Sequence, residues 1–147
     1  MSHTKKAKEL FLKGNNCAQA VFAAFSDVTG LDDKTALLIA SSFGGGMGHI
    51  GETCGAVTGM LMAAGMVLGY GENADADTKK AYYKEVKELT DEFKAEFLEL
   101  RCPKLLAKLG SGDYDLPDGE YYKARPCLIF VLKAVEILET KLERQGK

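Results

Sequence analysis

From Thr53 to Gly71 the chain carries no charged residue, and a glycine-rich run, Phe43-Gly-Gly-Gly-Met-Gly-His-Ile-Gly51, leads directly into it. So long an uncharged segment has two homes: a bilayer, or the centre of a protein. Five of its residues are glycine, and Leu and Ile are sparse. That composition favours a central helix covered on all sides by neighbours. Thr53 is suited to cap this helix, because its hydroxyl can accept a bond from a free N–H of the first turn. Cys54 would then be its first residue, at the positive end of the helix dipole, which favours the thiolate. Gly55 and Gly59 lie one turn apart and leave room for other backbone or a bound group on that face.

The glycine run contains Gly46-Met-Gly48-His-Ile-Gly51, a formal match to the dinucleotide fingerprint GxGxxG. That fingerprint needs a preceding strand. Ala36 to Phe43 has helical spacing instead, so the nucleotide reading is set aside. Free N–H groups before a helix still suit an anion. Gly46, Gly48, Gly51 and Gly55 are therefore the expected backbone contacts of any bound cofactor. Five glycines between residues 44 and 51 cost conformational entropy on folding, so a role beyond stability alone is expected of this loop.

The rest of the chain supplies the covering helices. Thr4 to Lys13 places Ala7, Leu10 and Phe11 on one face and stops at Gly14. Asn15-Asn16 offers a cap for a helix opening at Cys17, with a stripe of Val21, Ala24, Phe25 and Val28, ended by Gly30. Asp32 or Asp33 caps the next, with Ala36, Ile39, Ala40 and Phe43 facing inward. Asp75 or Asp77 begins a long helix to about Arg101, with Tyr82, Val86, Leu89, Phe93, Phe97 and Leu100 at alternating spacings of three and four. Pro103 and Pro126 each favour a helix start. Cys102 is read as an N-cap, and Cys127 as the second residue of the last helix. Residues 111–124 read as a polar loop. No segment alternates as a strand does. The expectation is an all-α, single-domain bundle of five to seven helices spanning residues 1–147.

The 147 residues suffice for one core, and a net charge of −2 offers no basic surface for nucleic acid. The N-terminus lacks a signal-peptide apolar core, so a cytoplasmic location with reduced thiols is expected, and no membrane partner. Four cysteines in such a setting point to metal or redox chemistry. Cys17, Cys54, Cys102 and Cys127 each fall at an expected helix start. A free cysteine is often just a small buried hydrophobe, but that does not account for all four positions. If those starts converge, four sulfurs share a site with helix dipoles aimed at it. There is no CxxC pair, as most zinc and iron–sulfur sites have, and no CxxCH, so covalent haem is not expected. His49 is either a proton donor near Cys54 or an exposed loop residue. Glu52 suits the start of the helix that follows.

Asn16-Cys17-Ala18-Gln19-Ala20-Val21, then Cys54-Gly55-Ala56-Val57-Thr58-Gly59, then single cysteines at 102 and 127, resemble the signature of the C_GCAxxG_C_C family of redox-active proteins. The resemblance covers nearly the whole chain. It implies a small, mostly helical protein with a redox role carried by Cys17, Cys54, Cys102 and Cys127; it implies no substrate. Some relatives resemble split-Soret cytochromes, whose haem-attachment motifs this chain lacks.

Three functions follow. The four thiols ligate an iron–sulfur cluster and the protein carries electrons. Or Cys54 is a low-pKa thiolate that exchanges with a second cysteine. Or the chain is a binding or structural module, with zinc or nothing at the cysteines. A redox partner is implied by the first two without being identified, enzymatic activity is undecided, and a homodimer stays open.

Overall fold

The computed structural model describes residues 2–147. It is all-α, with seven helices of eight residues or more. These are α1 His3–Leu12, α2 Cys17–Ala24, α4 Asp33–Ala40, α6 Gly55–Leu68, α7 Ala76–Phe97, α8 Cys102–Gly110 and α10 Leu128–Arg144; α3 Ser26–Thr29, α5 Gly44–Met47 and α9 Glu120–Ala124 are short. Among the described residues there is no strand, and extended pairing is limited to one antiparallel bridge between Thr53 and Arg101. No helix among them is long and apolar enough to cross a membrane.

The caps explain several boundaries. Asn16 accepts from the Gln19 N–H while the Gln19 side chain accepts from the Asn16 N–H, a reciprocal pair that fixes where α2 begins. Asp32 and Asp75 cap α4 and α7 by a one-way bond, each accepting from the N–H three residues on. Three expectations are corrected. The helix expected to run from Cys17 to Gly30 breaks at Phe25, and only Gly30, in the left-handed region, ends the second piece. The long helix stops at Phe97 rather than Arg101, because Leu98 takes a left-handed C-cap and the chain turns to pair with Thr53. Residues 111–124 are not wholly loop, since α9 closes them and buries Tyr122.

α2 and α6 form the centre. Both are strongly apolar, and they approach very closely because their contact is made of small residues. A Cβ on Gly59 would stand 2.7 Å from the Ala18 carbonyl oxygen and 3.1 Å from Val21 Cβ; one on Gly55 would stand 2.9 Å from the Phe43 oxygen and 3.2 Å from Cys17 Cβ. The uncharged segment is thus a central helix, as its composition suggests. α1, α4, α7 and α10 cover the pair. Ile39, expected to face inward, is exposed; its neighbours Ala36 and Ala40 are the buried residues of α4. Gly59→Val should lower the free energy of unfolding by about 2 kcal/mol, since overpacking a tight crossing outweighs the gain in helix propensity. Urea denaturation measures it.

Behind the cysteines, α7 and α10 build an aromatic wall. The rings of Phe93 and Phe97 lie 4.9 Å apart, tilted to one another, and Phe97 meets Phe130 edge-to-face at 4.8 Å. Tyr114 joins them and donates its hydroxyl to the Phe97 carbonyl at 2.6 Å.

Candidate functional site

Each cysteine stands at the start of a helix, though not always at the expected position. Cys17 is the first residue of α2 and Cys102 the first of α8, with Pro103 behind it. Cys54 and Cys127 are the N-cap residues of α6 and α10. Thr53 therefore does not cap α6; its backbone is drawn into the bridge with Arg101. That bridge is extended by Cys54 N–H donating to the Leu100 carbonyl and Cys102 N–H donating to the Glu52 carbonyl, both at 2.8 Å. Two helix starts are in this way tied backbone to backbone.

All four cysteines line one cavity of about 20 Å³, closed at the back by Phe130 and Leu105. Three of them, Cys17, Cys102 and Cys127, also open outward into a pocket of about 550 Å³. The structure thus brings the four cysteines to the lining of one cavity. Cys54 is buried, while the other three are partly exposed, and all four are free thiols.

Their acidities diverge. Hydrogen bonding with the neighbouring Cys17 thiol holds Cys127 below the ordinary thiol value against the opposing effect of burial; the charge of Arg125 helps. The same bond, with burial, raises Cys17 well above that value. Cys102 is raised by burial and then by the charge of Cys127. Cys54 is pushed up to about 12 by burial, with the backbone N–H groups of Ala56 and Val57 acting in the opposite direction. The expectation that Cys54 is the low-pKa thiolate is overturned. The helix N-terminus acts as expected there, but loss of water around a charged sulfur costs more.

Arg125 is held by the first helix. Its Nη1 donates to the Phe11 carbonyl, its Nη2 to the Asn15 carbonyl at 3.3 Å, and its guanidinium lies 3.7 Å from the centre of the Phe11 ring.

The glycines divide by role. Gly55 lines the small cavity and Gly51 the large pocket; Gly48 lines neither. Gly46 supports the site from behind, since a Cβ there would stand 2.8 Å from Cys102 Cβ and 2.8 Å from the Glu52 backbone. Gly45, not expected, lines both spaces, and the His49 ring lies against it. His49 is exposed yet forms part of the pocket wall. Because Gly46 sits at φ 72°, Gly46→Ala should both destabilise the fold, by about 2 kcal/mol, and displace Cys102. A lowered melting temperature together with an altered rate of Cys102 alkylation would register both.

The arrangement is an all-α protein with four convergent thiols at helix starts. Residues 15–141 match the family described as "Putative redox-active protein (C_GCAxxG_C_C)", and the chain belongs to that family. The comparisons with curated proteins and with solved structures found no match.

Proposed function

We propose that the chain is a thiol–disulfide redox protein in which Cys127 attacks and Cys17 resolves. One observation carries this reading: Cys17 and Cys127 both line the four-sulfur cavity and the open pocket in front of it, and pairing with Cys17 holds Cys127 below the ordinary thiol value. An attacking thiol needs thiolate character and access, and Cys127 has both. Its thiolate attacks one sulfur of a substrate disulfide, that S–S bond breaks, and the other sulfur leaves as a thiolate. Cys127 is then neutral in a mixed disulfide, so the charge that held the proton on Cys17 is gone. Cys17 gives that proton to the leaving thiolate, attacks Cys127, and expels the second sulfur. The protein, which began as one thiol and one thiolate, has lost two electrons and one proton; the substrate leaves as one thiol and one thiolate, and the latter takes its proton from water.

The four-sulfur cavity favours a second reading, a metal centre. Its donor set suits iron–sulfur or zinc. Its size does not suit a cluster: about 20 Å³ is room for roughly one water. Among the described residues, no three of His, Cys, Asp and Glu are disposed to hold a metal ion.

Oxidation of the reduced, metal-free protein with diamide, followed by peptide mapping, tests the proposal. A Cys17–Cys127 linkage with loss of two hydrogens is expected. Any other linkage, or none, would sink it. Visible absorbance with iron and sulfide in anaerobically purified protein would favour the metal centre.

A further inference from the structure

The pocket in front of Cys127 has a definite chemistry. At about 550 Å³ it falls within the roughly 300–1,000 Å³ of small-molecule sites. Phe11, Pro103, Leu106 and Pro126 give it apolar walls, and no Asp, Glu or Lys lines it. Its one permanent cation, Arg125, already spends donors on the Phe11 and Asn15 carbonyls and rests its face on the Phe11 ring. A carboxylate entering here would lose water, meet apolar walls and approach a negatively charged sulfur.

Resting on the dithiol reading of this site, we propose that its substrate is a small, uncharged, largely apolar disulfide, and that the pocket turns away highly charged disulfides. The exchange is the one already described: the substrate S–S bond breaks, a protein S–S bond forms between Cys17 and Cys127, and the substrate leaves with the two electrons and the Cys17 proton, its second sulfur being protonated by water. Leu106 is the residue to change, because it lines the pocket yet is 46% exposed, so the fold tolerates a polar side chain there.

Reduced protein is mixed anaerobically with lipoamide, an uncharged cyclic disulfide, or with oxidised glutathione, which carries four carboxylates. Formation of the Cys17–Cys127 linkage is followed by acid quench, alkylation and mass spectrometry. Each rate is divided by that of a simple thiol with the same disulfide, which removes intrinsic reactivity. The normalised rate should favour lipoamide by about tenfold or more, and Leu106→Glu should cut the lipoamide rate about tenfold, the value of one lost apolar contact. Diamide should still link Cys17 with Cys127 in that variant, which shows that its dithiol is intact. Equal normalised rates for the two disulfides, or a lipoamide rate indifferent to Leu106→Glu, would overturn the inference and leave the dithiol reading standing. Failure of diamide to link Cys17 with Cys127 would remove both.

Discussion

In reduced protein near neutral pH, Cys127 should be alkylated first and Cys54 last, by at least about a hundredfold. Thiolate population alone separates a thiol at about 12 from an ordinary one at 9.0 by about a thousandfold. The more basic sulfur is intrinsically the better nucleophile, which returns roughly half of that on a logarithmic scale. Two further effects restore the gap. Cys127 lies below the ordinary value, and Cys54 is only 4% exposed. Cys17→Ala removes the donor that favours the Cys127 thiolate, so the pH profile of Cys127 alkylation should move up in that variant. Iodoacetamide labelling with peptide mapping across a pH series measures both effects. Prior labelling of Cys54 would mean that the helix N-terminus outweighs burial after all.

The second large effect is alkaline destabilisation. A thiol raised on folding stabilises the native state below its unfolded value, and that stability is lost as pH rises towards the folded value. For Cys54 the window runs from an ordinary 9.0 to about 12. Each tenfold change in proton affinity is worth about 1.4 kcal/mol, so the loss across the window is on the order of 4 kcal/mol. Cys17 adds in the same direction, because it too is raised. Cys127 has the opposite sign: its contribution is present above the unfolded value and fades as pH falls through the folded one. Lysines and tyrosines titrate in the alkaline range as well, so the comparison is between wild type and Cys54→Ala. The variant should lose much less stability than wild type between pH 9 and 12. Parallel losses in the two proteins would show that the Cys54 sulfur does not ionise within the fold.

The helices were legible because their signals are local. Asn16, Asp32 and Asp75 announce caps, and the spacing of Leu89, Phe93 and Phe97 shows which face of α7 is buried. The four cysteines were legible as a set for the same reason, since each sits beside punctuation for a helix start. Their ranking was not. At Cys54 the visible signal, a helix N-terminus, competes with burial, and burial depends on Phe130 and Leu105 arriving from other helices. The proposed pairing of Cys17 with Cys127 joins distant segments and leaves no mark on either. Gly45 was hidden among equivalent glycines; only the His49 ring lying against it marks it out.

The grip of Arg125 on Phe11 and Asn15 bears on how much of the chain makes a working unit. The family match begins at residue 15, after α1 has ended at Leu12, so a fragment cut to the match would keep every cysteine. It would lose the carbonyl and the ring that orient the one guanidinium beside Cys127, and with Phe11 it would lose a wall of the pocket. The boundary drawn by likeness to relatives is narrower than the boundary drawn by contact, and a minimal active piece has to be cut by the second.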